Sequence, residues 1–225
     1  EVIEVVSFSD LSVQLDGKRK AQVESNLAMG QDSPSATPSR RVLGGEDGVY
    51  DSILVRTMPL GSLEQIIFRM NALHAILRSG TQVFNPPRCL EIAIDKWLTL
   101  DLLQAADLPT PRTYCCQTRS EAMIAFEKLG RDCVVKPIFG GEGRGLIRVN
   151  DPEIAWRVFG AIEQIAGVLY LQEFLAHPGY DLRLLVIGDE VFSVKRHALD
   201  DWRTNVSRGG KATPHIPTDI QRDLA

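Results

Sequence analysis

Apolar and polar positions recur along the chain in stretches short enough to read as individual elements. Val2, Val5, Val6 and Phe8 predict an opening strand, and residues 11–15 a second short one. Residues 26–41 are rich in serine and proline and poor in apolar side chains, which predicts a loop or mobile insertion. YDSILVR (50–56) reads as a buried strand. From Leu63 the apolar residues Ile66, Ile67, Met70, Leu73, Ile76 and Leu77 return at helical spacing. Ser62 and Gln65 form a capping box at the start of that helix, and Gly80 closes it. TQVFN (81–85) is again a strand, so strand, helix and strand within about 40 residues imply a parallel βαβ unit.

Residues 88–106 are helical in pattern with a break near Asp95, and Pro109 and Pro111 mark a domain boundary ahead of TYCC. Thr118 and Glu121 suggest a second capping box, for a helix ending at Gly130. CVVKPI (133–138) and LIRVN (146–150) read as strands flanking a glycine-rich turn. Asp151-Pro152 opens a helix through Ile154, Val158, Phe159 and Ile162 to Gly167, and VLYLQEFL (168–175) is a strand. DLRLLVI and EVFSVKRH make a hairpin across the two-residue turn Gly188-Asp189. The stretch 200–217 is polar and is read as loop, and PTDIQRDLA stops as another helix begins. There is no internal repeat.

Composition narrows the class without naming it. A net charge of −4 argues against a polyanion binder that works by overall charge, so no nucleic-acid partner is expected. No apolar run approaches the roughly 18 residues of a spanning helix, so no membrane is expected either. The start lacks the basic region and cleavage site of a signal peptide. Four cysteines, at 89, 115, 116 and 133, have no metal-like spacing. Adjacent Cys115 and Cys116 read as small strand residues rather than a redox pair. The expectation is a reduced, cytoplasmic protein. Glu1 is not a start methionine, and the chain is expected to be trimmed at both ends.

Four features could carry chemistry, and each has a plainer reading beside it. FGGEGRG (139–145) has four glycines in seven residues between two strands, which lets backbone N–H groups approach an anion. It lacks GK[ST] and is no Walker loop; most such turns bind nothing. Lys136 interrupts an apolar strand one step before that loop; it could meet a phosphate or lie on a solvated face. Gln172-Glu173-Phe174-Leu175 ends a strand where backbone and carboxylate could hold a base and ribose, or simply be solvated. Arg183, Lys195, Arg196, His197, Arg203 and Arg208 gather within 26 residues as a candidate anion pocket or a basic hairpin surface. Strand alternation puts Lys195 and His197 on one hairpin face and Arg196 on the other. Lys96, beside Asp95, is a second phosphate contact if it faces inward.

In this order the features resemble the RimK-like branch of the ATP-grasp superfamily, whose members ligate amino acids to carboxylates. The resemblance is carried by CVVKPIFGGEGRGLIRV, LQEFL, DLRLLVIGDEV, AIDKWLTLDLLQAADLPTPRT and above all WRTNVSRGG. PLGSLEQIIFRMNALH is similar to the branch that adds glutamate to pterins of the tetrahydromethanopterin type.

What the resemblance implies is an α/β chain, α+β in its ATP-binding part, with the ATP-grasp fold behind an N-terminal Rossmann-like domain. The division expected is 1–108 for the leading domain and linking helices, 109–175 for the small ATP-grasp subdomain with its glycine-rich lid, and 176–225 for the incomplete start of the C-terminal ATP-grasp subdomain. Lys96 and Lys136 would contact ATP phosphates, under a lid made by Gly140, Gly141 and Gly143. Gln172, Glu173, Phe174 and Leu175 would hold adenine and ribose, and Asp181 the ribose or substrate side. Arg203, Thr204 and Asn205 would contact ATP, with Arg196 and Arg203 the catalytic pair near the reacting groups. Mg²⁺ is implied with its protein ligands downstream of residue 225, so no metal ligand is assigned here. The implied partners are ATP, an amino acid (glutamate) and a carboxylate acceptor, either a pterin cofactor or a protein C-terminus, with a homo-oligomer allowed. The alternatives are an ATP-binding regulatory protein without chemistry and another ATP-grasp peptide ligase.

Overall fold

A computed structural model describes residues 6–14, 22–26, 40–43, 50–141, 143–199 and 201–225. The readings at Val2 and Val5, over most of 26–41, and at Glu142 lie outside the described residues. The chain divides into two compact units, Glu1–Ile94 and Asp95–Ala225, which meet at the predicted helix break.

In the first unit β1 (Leu11–Gln14), β2 (Gln22–Asn26) and β3 (Arg40–Val42) form an antiparallel sheet in that order. Phe8, expected in a strand, instead begins a 3₁₀ turn, Phe8–Asp10, capped by the Ser7 hydroxyl accepting from the Ser9 N–H. The βαβ unit is present: β4 (Ser52–Leu54) pairs in parallel with β5 (Gln82–Phe84), Ile53 opposite Val83, across helix α1 (Leu63–Arg78). The Gln65 N–H donates to Ser62 Oγ at 3.3 Å and the Ser62 N–H to Gln65 Oε1 at 3.0 Å, closing the capping box. Met70, Ala72, Leu73, Ala75 and Ile76 pack with Val23, Leu43 and Val83 as the core. Leu63 and Ile67, counted in the apolar stripe, are 67% and 50% exposed, because the buried stretch of the helix begins only at Arg69 and Met70. Helix α2 (Pro87–Ile94) ends the unit.

The second unit opens with α3 (Lys96–Ala105), whose N-cap Asp95 accepts from the Trp97 and Leu98 N–H groups at 2.9 and 3.0 Å. Strands β6 (Thr113–Cys116), β7 (Cys133–Lys136), β8 (Ile147–Val149) and β9 (Leu169–Glu173) form an antiparallel sheet in the order β6-β9-β7-β8. Helices α4 (Arg119–Lys128) and α5 (Pro152–Gln164) cover it. Phe126 and Phe159, both fully buried, meet edge to face at 6.2 Å over Cys133, Val135, Val149, Leu169 and Leu171.

The predicted hairpin is formed by β10 (Tyr180–Ile187) and β11 (Glu190–His197), joined through Gly188 and Asp189. The following stretch is not all loop. Strand β12 (Lys211–His215) pairs with β11, Lys195 opposite Thr213, making a second three-stranded sheet. Its composition hides it: KATPH is polar and carries Pro214, which a sheet tolerates at an edge. Helix α6 (Asp219–Asp223) follows with a Thr218/Gln221 capping box. Among the described residues no helix is long and apolar enough to cross a membrane.

Candidate functional site

Strand alternation sorts the first sheet of the second unit into two faces. Cys133 and Val135 of β7, with Leu169 and Leu171 of β9, point into the helix-covered core. The other face carries Lys136 opposite Tyr170, and Gln172 opposite Thr113. Lys136 is therefore on the face away from Val135, as alternation requires, yet it is half-buried rather than solvated. Its Nζ donates to Gln172 Oε1. Gln172 Nε2 in turn donates to Thr113 Oγ1 at 3.0 Å and to Tyr170 Oη at 3.3 Å. Burial, and secondarily the charge of Lys96, pull the Lys136 ammonium down to about 8.

Lys96 supplies that neighbouring charge from the first turn of α3. Its Nζ donates to the Gly140 carbonyl at 2.6 Å and the Ile138 carbonyl at 3.4 Å, and its own N–H to Ile138 O at 3.3 Å. Burial lowers its pKa also, against the opposing charge of Asp95. Two partly desolvated ammonium groups thus lie near the root of the glycine loop, close enough for the charge of Lys96 to disfavour that of Lys136, and a polyphosphate bound there would relieve both.

The loop between β7 and β8 needs glycine at particular points. Gly140, Gly143 and Gly145 sit at φ +113, +72 and +69, where other residues are strained. A Cβ on Gly143 would come 2.7 Å from Asn205 Oδ1, and one on Gly145 would come 2.8 Å from Pro137 Cγ. Gly141 has open space around it and no such demand.

The contact with Asn205 brings the second sheet to the loop. Asp181 and Arg196 are cross-strand partners on β10 and β11. Arg196 donates to both Asp181 oxygens, at 2.8 and 2.5 Å, and Thr204 Oγ1 donates to Asp181 Oδ2 at 2.7 Å. Burial would raise the Asp181 carboxyl, but the bonds from Arg196 and Thr204 outweigh it and hold it below its ordinary value. Arg203 is paired with Asp201 at 2.6 Å and reaches the Leu146 carbonyl, at the far end of the glycine loop, at 3.5 Å. Arg196, Thr204, Arg203 and Asn205 are thus brought together with Asp181 and the loop.

The strand-end residues are engaged differently. Glu173 Oε1 accepts from the Arg112 N–H at 2.8 Å and Oε2 from Arg112 Nε at 2.7 Å. The Arg112 N–H, then its guanidinium, keep that carboxyl below its ordinary range. Phe174 lies under the Arg148 guanidinium, 3.4 Å from the ring centroid, and edge-on to Trp202 at 5.8 Å. Asp132 holds Arg148 there through bonds of 2.8 and 2.6 Å. Leu175 is 57% exposed. Across the hairpin, Lys195 lies over the Tyr180 ring at 3.6 Å.

Arg112, Thr113, Tyr170 and Asp201 were not visible as site neighbours in the sequence. Their places follow from the order β6-β9-β7, which sets Thr113 beside Gln172, and from the turn that folds Asp201 back on Arg203. Among the described residues no three His, Cys, Asp or Glu side chains gather to hold a metal ion. A surface cavity of about 510 Å³ lies on α4 and α5, around Arg119 and Trp156, and contains none of these side chains.

Residues 93–225 match the RimK-like ATP-grasp domain family. The chain is 33% identical over 188 residues to the tetrahydromethanopterin:alpha-L-glutamate ligase of Methanosarcina acetivorans, covering 78% of this chain and 58% of that protein. It is 30% identical over 151 residues to the alpha-aminoadipate–LysW ligase LysX of Saccharolobus solfataricus, covering 65% and 55%. Among solved structures it resembles the ATP-grasp ligase PsnB in complex with a phosphomimetic variant of its minimal precursor, Mg and ADP. That match has a TM-score of 0.52 at 25% identity, over 72% of this chain and 49% of that one. The chain therefore spans about half the length of the curated relatives it matches.

Proposed function

This chain belongs to the RimK-like ATP-grasp family, and on that premise we propose that the protein is an ATP-dependent ligase joining glutamate to an acceptor carboxylate. The observation that carries the reading is the Lys96–Lys136 pair, two desolvated ammonium groups at the root of a glycine loop. In the proposed reaction a carboxylate oxygen of the acceptor attacks the γ-phosphorus and ADP leaves. The amine of glutamate then attacks the acyl carbon, phosphate leaves, and the amine nitrogen loses a proton. Both steps gather negative charge on oxygens, which positioned cations stabilise without any nucleophilic side chain.

Lys96 and Lys136 would grip the phosphates, and the loop through Gly140, Gly141 and Gly143 would close over them and exclude water. Gln172 to Leu175 would border adenine and ribose. Asp181 would orient Arg196 toward the reacting groups, and Arg203, Thr204 and Asn205 would hold the loop and ATP from the second sheet. The separate sheets support a division into subdomains at 109–175 and 176–225. A pterin-type acceptor is favoured by the glutamate ligase relative, and a protein carboxylate is the other acceptor to try.

The test is phosphate release by the full-length protein from ATP and Mg²⁺, with glutamate and a panel of carboxylate acceptors. Release that needs both glutamate and one acceptor supports the reading. ATP binding without release for any acceptor would put a regulatory nucleotide-binding role in its place.

A further inference from the structure

One line of hydrogen bonds, on the face of the β6-β9-β7-β8 sheet turned away from the α4–α5 core, runs toward Lys136 with a fixed sense. Thr113 Oγ1 donates its single proton to the Pro111 carbonyl at 3.0 Å. Its lone pairs are what remain to face Gln172, so only the NH₂ end of that amide can meet it, and does at 3.0 Å. Tyr170 Oη accepts from the same NH₂ at 3.3 Å, and burial pushes this phenol up to about 12, so it stays neutral. With its NH₂ end committed, the amide presents its carbonyl oxygen to the Lys136 ammonium. A flipped amide would set NH₂ against the Lys136 ammonium and its carbonyl oxygen against the Thr113 oxygen, whose proton is given to Pro111. Register makes the line possible: Thr113 is directly opposite Gln172 on β9, and Gln172 is the diagonal neighbour of Lys136 on β7.

We infer that Thr113 is a positioning residue, which through the oriented Gln172 amide aims the Lys136 ammonium at the phosphate chain of the nucleotide. The inference rests on the nucleotide-binding reading above only in its last step, from Lys136 to phosphate. The orientation of Lys136 by Thr113 stands on the geometry alone. It also gives the Gln172 side chain a part of its own beside the border to adenine and ribose, since both ends of its amide are used within the sheet.

The experiment uses the full-length protein and Thr113→Val, Thr113→Ser, Lys136→Ala and the Thr113→Val/Lys136→Ala pair. Two readouts are taken: calorimetric affinity for ADP with Mg²⁺, and the titration midpoint of Lys136 from NMR of ¹³C-dimethylated lysines without nucleotide. Thr113→Val is expected to lower the Lys136 midpoint and weaken ADP about tenfold, the scale of a hydrogen bond to a charged group. Thr113→Ser keeps the hydroxyl and restores both. In the Lys136→Ala background Thr113→Val adds nothing further.

An unchanged Lys136 midpoint in Thr113→Val overturns the inference. So does a loss of ADP affinity that persists undiminished in Lys136→Ala. If Lys136→Ala binds ADP as the parent does, the nucleotide reading fails, while the midpoint still judges Thr113. Should Thr113→Val not fold, Gln172→Met removes the same carbonyl and is read the same way.

Discussion

Asn205 Oδ1 stands 2.7 Å from the point that a Cβ on Gly143 would occupy. Gly143 lies in the loop of the first sheet and Asn205 follows the hairpin of the second, so this approach is where the two sheets share one site. Gly143→Ala meets two obstacles, the clash with the amide and a φ of +72. The backbone strain alone costs about 1–2 kcal/mol in the loop. Strain on that scale should lower the melting temperature by only about 2–8 °C. Phosphate release should fall on the order of 10- to 100-fold, through misplacement of the lid. Gly141→Ala has open space and should cost much less in the same assay.

Lys136→Ala should abolish turnover and weaken nucleotide binding without unfolding the protein, as phosphate release, calorimetry and thermal melts would show. The pH dependence of the parent carries more information. Burial and Lys96 hold the Lys136 ammonium near 8, well under its value in the unfolded chain. A bound polyphosphate favours the charged form and raises it again. Binding near pH 8 should therefore take up a proton, visible as a buffer-dependent enthalpy, and affinity should fall as pH rises above about 8. The sign for stability is opposite. The buried charge penalises the fold below about 8, and the penalty is relieved as pH climbs toward the unfolded value. Lys136→Ala should remove both effects; a proton uptake unchanged by that substitution would assign it to another group.

Much of this site was legible in order but not in pairing. Lys136 could be picked out because it interrupts an apolar strand, the glycine loop by its composition and Glu173 as a strand end, while Asp181 and the Arg203-Thr204-Asn205 run drew their roles from the family resemblance. Helices α1, α4 and α5 were legible from caps, since Ser62, Thr118 and Asp151 each satisfy first-turn N–H groups locally. What could not be read was which strand lies beside which. Nothing local says that Thr113 meets Gln172 across 59 residues, or that Arg112 takes the Glu173 carboxylate. Strand β12 escaped for a related reason: its polar edge position leaves no apolar alternation to detect.

The Asp181–Arg196 pair should act as the support of the second sheet's contribution. Asp181→Asn keeps the Thr204 contact but loses the charge that holds Arg196 from both sides. The Asp181 side chain is 40% exposed, so solvent screening limits the loss to about 1–2 kcal/mol. The carboxyl is depressed in the fold, so its contribution is present above its unfolded value and disappears as pH falls through the folded one. Urea melts of parent and Asp181→Asn should differ at pH 7 and converge in acid. A gap that stays constant down to pH 3 would mean that the effect is packing and not charge.

The two glycines that end the Arg-x-Asn segment should respond differently, for reasons visible in the backbone. Gly209 sits at φ +91 with nothing near its missing Cβ, so Gly209→Ala pays only left-handed strain, about 1 kcal/mol. At Gly210 a Cβ would come 2.5 Å from the Thr204 carbonyl, 3.0 Å from that of Asn205 and 3.1 Å from that of His197. All three are main-chain atoms and cannot swing aside. Gly210 also donates its N–H to Asn205 O at 3.2 Å, so it is the floor on which Thr204 and Asn205 rest. Gly210→Ala should destabilise the second sheet by roughly 1–3 kcal/mol. It should also lower nucleotide affinity by shifting Asn205 away from the glycine loop. Thermal melts and ADP calorimetry on both variants check this, and equal behaviour of the two would refute the packing role of Gly210.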